Sequence, residues 1–185
     1  CMSESQSRIT LKSIKHTEWA SQETHCFQAV IYLDGKRVLN VDNAGRGASH
    51  KYWSVKEQEQ EETKKILDEC RQHAYEFLKA NRALTMEVDG ETIDLSDMPD
   101  SELLDWLITD LVNEHLCLKE MKRCLKDKIH IFDAEDNNIY SFKQKPTPEA
   151  MSSCKREHSD EDKYWVYLND LSEQEALKLW RKSNA

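Results

Sequence analysis

The stretch HCFQAVIYLDGKRVLNVDN, residues 25–43, decides the fold class. Two runs rich in β-branched and apolar residues flank Asp34–Gly35. A two-residue hairpin turn needs positive φ at both positions, which Asp and Gly accept more readily than other residues. The spacing therefore predicts a β-hairpin. Upstream, RITLKSIK (residues 8–15) alternates well enough to add a first strand and make a meander.

Downstream, NAGRGASHKYW (residues 43–53) reads as a loop. Ser54 and Glu57 then have the spacing of a capping box, predicting a helix over about 55–81. Its first half, EQEQEETKK, is polar, and its second half carries an apolar stripe of Ile66, Cys70, Ala74, Phe77 and Leu78. TMEVDGETIDL (residues 85–95) predicts a second hairpin about Asp89–Gly90. Asp97, Pro99 and Asp100 then open a helix over roughly 99–126, the most apolar in the chain, expected to be covered on more than one side. KIHIFD (128–133) and IYSFK (139–143) form a third hairpin around AEDNN, and residues 144–162 read as a charged, mobile loop. KYWVYL (163–168) is a last strand, and Ser172 with Glu175 repeats the capping box ahead of a terminal helix bearing Leu177, Leu179 and Trp180. The prediction is a single α+β domain over residues 1–185: an antiparallel sheet of hairpins packed against two long helices and a short C-terminal helix.

Composition agrees with a packed core. Five Trp, six Tyr and four Phe supply large apolar surface, while only four Gly and three Pro point to long regular elements. No apolar run is long enough to cross a bilayer, and the start lacks a basic-then-apolar signal pattern, so a cytoplasmic location is expected. Cys1 stands ahead of Met2 and is expected to be an addition before the native start. The remaining Cys26, Cys70, Cys117, Cys124 and Cys154 read as reduced thiols, mostly in the core. Charge is uneven. Residues 1–56 hold 8 basic and 5 acidic side chains, a net of +3, whereas residues 57–185 hold 18 and 30, a net of -12. The acidic body disfavours general nucleic-acid binding.

The segment ASQETHCFQAVIYLDGKRVLNVDNAGRGAS resembles a family of small uncharacterised proteins encoded by bacteriophages, prophages and their bacterial hosts. The resemblance is carried by Glu23, Thr24, Cys26, Phe27, Asp34, Gly35, Lys36, Asn43, Gly45 and Gly47. CLKEMKRCLKDKIHIF (117–132) resembles the family's LKRxLKxKIxxF run more weakly. The family's third loop glycine is missing, since Ala48 follows Gly47. The resemblance implies a phage or mobile-element origin and a place in the host bacterial cytoplasm. It implies no activity.

The loop residues Asn43, Gly45, Arg46, Gly47, Ser49, His50 and Lys51 form the candidate ligand site. Two glycines free the backbone, successive amides can make an anion nest, and the side chains add donors beside the capped helix start at Ser54. A phosphate-bearing ligand suits that pattern; the plainer reading is a connection that needs Gly to turn. His16, His25 and His50 could supply a general base, but no nucleophile elbow accompanies them. His115, Cys117, Cys124, Cys154 and His158 lack the tight spacing of a zinc knuckle and read as core thiols and ordinary histidines, so no metal and no cofactor is expected. The acids Asp94, Asp97 and Asp100, and Asp160, Glu161 and Asp162, read as solvated charge. Among Trp19, Trp53, Tyr52, Trp165 and Tyr167, most are expected in the core, with stacking or partner anchoring as the alternative.

The expectation is a non-enzymatic binding protein acting on a host target. Its anti-defence form would sequester a small phosphate-bearing signal such as a nucleotide, or block a host protein. An enzyme acting on phosphate esters or nucleotides through Arg46, Ser49 and His50 is one alternative. A structural or assembly protein joined through the helix at 99–126 is the other.

Overall fold

The computed structural model describes residues 7–55, 60–81, 85–88, 91–94, 99–158 and 164–183. They belong to two compact units that divide between Val112 and Asn113.

The first unit is built on a four-stranded antiparallel sheet of β1 (Ile9–His16), β2 (Cys26–Leu33), β3 (Lys36–Ala44) and β4 (Lys51–Ser54), in sequence order. The predicted hairpin is present: Asp34 and Gly35 have φ of 50° and 78°. The fourth strand falls in a stretch read from sequence as loop. Its four residues are too few for a periodic signal, and it exists because its tertiary partner β3 continues beyond the hairpin to Ala44, pairing Val41 with Tyr52 and Asp42 with Lys51. Alternation gives the sheet two faces. Phe27, Ala29, Ile31, Leu39 and Val41 point inward and are buried, as is Ile9. Each large apolar side chain so buried contributes roughly 1.5–3 kcal/mol.

Helix α1 (Gln60–Asn81) places Cys70, Ala74 and Leu78 in this core, and its polar first half is mostly exposed as expected. The Arg8 amide donates to Nε2 of His73 at 3.1 Å, tying the start of β1 to α1. Strands β5 (Thr85–Val88) and β6 (Glu91–Asp94) form the second predicted hairpin as a separate two-stranded sheet. Helix α2 (Asp100–Asp127) gives Leu103, Leu104, Leu107, Ile108 and Val112 to the buried core. The expected turn at Asp89–Gly90, the Glu57 partner of Ser54, Asp97, and the acids Asp160, Glu161 and Asp162 lie outside the described residues.

The second unit holds the C-terminal part of α2 and a three-stranded antiparallel sheet, with β7 (Ile129–Asp133) between β8 (Ile139–Phe142) and β9 (Trp165–Tyr167). Strand β7 is covered on both faces, so its alternation is hidden in a continuous apolar run. Ile129 and Ile131 pack with Met151 and Cys154 of α3 (Pro148–Glu157). Phe132 packs with Met121, Leu168 and Trp180, the last from α4 (Glu173–Ser183). Helix α3 corrects the loop expected over 144–162. Thr147 caps it by accepting from the Ala150 amide at 3.2 Å, Pro148 fits its first turn, and Met151 and Cys154, three residues apart, bury one face. The capping box of α4 forms as predicted: Ser172 N–H donates to Glu175 Oε2 at 3.1 Å, and the Glu175 amide returns to Ser172 Oγ at 3.4 Å.

Asn169 ties three backbone groups of this unit to one another. Its Oδ1 accepts from the His130 amide at 2.8 Å, and its Nδ2 donates to the carbonyls of Leu125 (2.8 Å) and Lys128 (3.0 Å). Asn169→Ala leaves three backbone groups without that partner. It is expected to lower stability by about 2–3 kcal/mol, read from the midpoint of urea unfolding.

Candidate functional site at the end of the four-stranded sheet

Two loops interlock at one end of the first sheet. The first runs from the end of β1 through a 3-10 turn, Glu18–Ala20, to the start of β2. The second joins β3 to β4 and carries the glycines. The Gly45 carbonyl accepts from the amides of Gln22 (2.9 Å) and Glu23 (3.1 Å), so each loop is fixed by the other. Gly45 has φ +81°, and a Cβ there would fall on the Ala20 carbonyl oxygen and within 2.9 Å of Cys26 Cβ. Only glycine permits that approach.

Asn43 organises the second loop from beneath. It is 3% exposed. Its Oδ1 accepts from Thr24 Oγ1 (2.9 Å) and the Gly45 amide (2.8 Å). Its Nδ2 donates to the Ala48 carbonyl and to His50 Nδ1, both at 2.8 Å. Because the Gly45 amide can only donate and the Ala48 carbonyl can only accept, the orientation of the carboxamide is fixed. The His50 tautomer follows. Its Nδ1 must be an acceptor, so Nε2 carries the hydrogen and donates to Thr109 Oγ1 at 3.1 Å. Asp105 completes the cluster, accepting from the His50 amide (2.9 Å) and the Tyr52 hydroxyl (2.6 Å). Burial pushes His50 below the ordinary imidazole value, against the smaller upward pull of Asp105. Burial, then Asp105, holds the Tyr52 phenol far above its usual range.

The seven candidate residues do not converge on one receptor. Asn43 and His50 are engaged on the inner side of the sheet, whereas Lys51 is exposed and pairs in register with Asp42 on the outer side. Arg46, Gly47 and Ser49 are exposed, and Arg46 makes no salt bridge among the described residues. The amides of Gly45, Gly47 and His50 already donate within the protein, Gly47 to Thr24 Oγ1 at 3.3 Å. The Glu23 carboxylate lies where a Cβ of Gly47 would be, which puts negative charge against the loop. At the neighbouring loop, Ser21 Oγ donates to the Thr17 carbonyl (2.9 Å), accepts from the Cys26 amide (2.9 Å) and meets His16 Nε2 at 3.2 Å. His25 Nδ1 stands 3.3 Å from the same His16 nitrogen. These two histidines close the first loop. Trp19 projects from it, 88% exposed.

Asp105 and Thr109 were not singled out from sequence. Their signal is a pair of polar residues four apart in the apolar run LLDWLITDL, which marks one helical face. The other candidates separate. Cys117 and Cys124 pack beside Met121 and Trp180, while Cys154 sits with Ile129 and Tyr167. His115 is exposed, and His158 lies against the rings of Phe142 and Trp165. No group of three or more His, Cys, Asp or Glu poised for a metal occurs among the described residues. No described helix is long and apolar enough to cross a membrane. In the second unit a cavity of about 690 Å³ is lined by Met121, Leu125, Met151, Leu168 and Leu171. Two of its lysines are paired at its rim, Lys122 with Glu173 and Lys155 with Asp170.

No protein-family model, curated protein or solved structure matches the chain.

Two outcomes follow. Gly45→Ala combines a disallowed φ with a clash against Ala20 and is expected to cost about 2 kcal/mol or more, seen as a lower melting temperature. His50, His73 and His130 all lie below the ordinary value of 6.5, chiefly because burial disfavours the cation. Above that pH both folded and unfolded chains hold them neutral. Below it the unfolded chain takes up protons that the folded chain resists. Stability is therefore expected to be level above pH 6.5 and to fall as pH drops through it toward the folded values. Urea unfolding across that window checks this, and His50→Gln is expected to flatten the slope.

Proposed function

We propose that the protein is a non-enzymatic binding protein of phage or mobile-element origin that acts on a host protein, with Trp19 as the anchor of its contact surface. The observation that carries this reading is Trp19, an 88% exposed indole on a turn held in place by the interlocked loops. Tryptophan is among the residues that most often dominate binding energy at interfaces. A loop already ordered in the free protein loses little conformational freedom when it docks. Origin and cytoplasmic location rest on the resemblance of residues 20–49, and blocking a host defence protein is the form of action that origin suggests.

The loop favours a protein over a sequestered nucleotide. An anion nest needs free amides, and those of Gly45, Gly47 and His50 are engaged, with Glu23 beside them. The phosphate-ester enzyme is disfavoured because both ring nitrogens of His50 are committed, to Asn43 and Thr109. Assembly through α2 is disfavoured because Leu103, Leu104, Leu107, Ile108 and Val112 are already buried.

Immobilised protein exposed to bacterial host lysate is expected to retain a partner that Trp19→Ala loses by roughly tenfold or more, as interface hot spots do, with its melting temperature unchanged. Equal retention by both proteins removes Trp19 as the anchor. A melting temperature that climbs with added mono-, di- or cyclic nucleotide, and stops climbing in Arg46→Ala, would instead establish the nucleotide reading.

A further inference from the structure

The outer face of the four-stranded sheet differs chemically from the rest of the chain. The strand register sets out its rows. Lys15, Gln28, Asp42 and Lys51 lie side by side across β1 to β4. Lys12, Val30, Asn40 and Trp53 form the next row, and Thr10, Tyr32 and Arg37 the one after. Four cations and one carboxylate therefore share this face, in a chain whose net charge is -9. Their positions are ordered as well. Lys12 and Lys15 stand on edge strand β1 and Lys51 on edge strand β4, with Arg37 at the hairpin end of β3. Between them lie two aromatic rings, Tyr32 and Trp53, and two side-chain amides, Gln28 and Asn40. Trp53 is 44% exposed, and the Lys12 ammonium stands 4.4 Å from the Tyr32 ring centre. The inner face is occupied by the protein's own core, whereas on this one Thr10, Lys12, Lys15, Gln28, Arg37, Lys51 and Trp53 are exposed and Val30, Tyr32, Asn40 and Asp42 half-buried.

From this arrangement we infer that the outer sheet face binds single-stranded nucleic acid. Cations along both edges match a backbone of phosphates, the aromatic rings offer π-faces to unpaired bases, and the Gln28 amide can meet a base edge, while Asn40 Nδ2 is held by the Ser54 carbonyl at 3.3 Å. Trp53 and Tyr32 are two strands and two residues apart, about 12 Å on a pleated sheet, so they receive different bases rather than clamping one. A duplex hides its base faces and gains only the charge contacts. The acidic balance argued against nucleic-acid binding when charge was summed over the chain; on this face the sign is reversed. The inference is independent of Trp19 and of the host-protein reading.

The test is fluorescence anisotropy with a labelled single strand of about 12 nucleotides, within the site sizes of single-strand binders, as DNA and as RNA, beside the matching duplex. Binding is expected to be tighter to the single strand. The logarithm of affinity should fall with the logarithm of salt at a slope of about -3, from four contacts at roughly 0.7 each. Trp53→Ala should weaken binding roughly tenfold through lost stacking. Lys15→Glu, on an exposed side chain outside the core, should weaken binding and reduce the slope by roughly 0.7. Circular dichroism confirms that each variant is folded. No anisotropy change at about 100 µM protein in low salt overturns the inference, that being the weak limit of non-specific binding. So does equal binding of duplex, or affinity that Trp53→Ala and Lys15→Glu leave unchanged. A host protein captured through Trp53, with no oligonucleotide bound, reassigns the face to protein docking and overturns it too.

Discussion

The side-chain amide of Asn43 makes four hydrogen bonds inside the end of the first sheet, to Thr24, Gly45, Ala48 and His50. Each bond settles something further away. The bond to Gly45 shapes the turn whose carbonyl receives two amides from the opposite loop, and so fixes the segment carrying Trp19. The bond to His50 selects its neutral tautomer and directs Nε2–H at α2. A buried carboxamide with every group paired contributes through geometry more than net energy, because an unpaired buried group costs more than a made bond gains. The same bonding that orders this end engages the amides of Gly45, Gly47 and His50 within the protein. A loop glycine can turn a chain or cradle a phosphate. Here Gly45 turns the chain, since its missing Cβ makes room for Ala20 and Cys26 of the same protein.

The distribution of charge gains meaning only from the fold. Residues 57–112 hold 16 acidic and 5 basic side chains, while residues 113–185 are nearly balanced with 14 and 13. The acidic excess therefore lies in the part of the first unit that follows its four-stranded sheet, and the small basic excess in the part that forms the sheet. In the sheet, inward positions are apolar by necessity, so charge collects on the outward ones. A modest surplus spread along the sequence becomes a concentrated one on a single surface.

The elements readable from sequence were those whose signal is local. Asp34–Gly35 specifies its own turn, and Ser172 and Glu175 cap α4 with no help from elsewhere. The long helices were visible from periodicity, though the division at Val112 was not, because a helix can pass between two compact units without a break in its pattern. Strand β4 was missed because its partner β3, rather than its own four residues, makes it a strand. Helix α3 was missed because a stretch rich in charge outweighed two local signals, Thr147–Pro148 and the pair Met151 and Cys154. At the site, sequence proximity gathered Asn43, His50 and Lys51, which alternation then divides between opposite faces. The residues that complete His50, Asp105 and Thr109, lie more than fifty positions away and meet it only through the packing of α2 on the sheet.

Two irregularities in the sheet bear on which residues share the outer face. In β1, three steps from Lys12 to Lys15 match two steps on β2, from Val30 to Gln28. The extra residue adjoins Ser13, whose φ of 55° marks a bulge. Without it, alternation would turn Lys15 inward toward the core and His16 outward to solvent. In β3, two steps from Leu39 to Arg37 match one step from Ile31 to Tyr32, so Val38 is the extra residue and Arg37 lies beside Tyr32 on the outer side. Both shifts act in the same sense: each places a cation on the outer face without removing an apolar residue from the inner one. Ordinary alternation would have sufficed to build the core. The bulges cost ladder regularity, and what they arrange is the positive border around Tyr32 and Trp53.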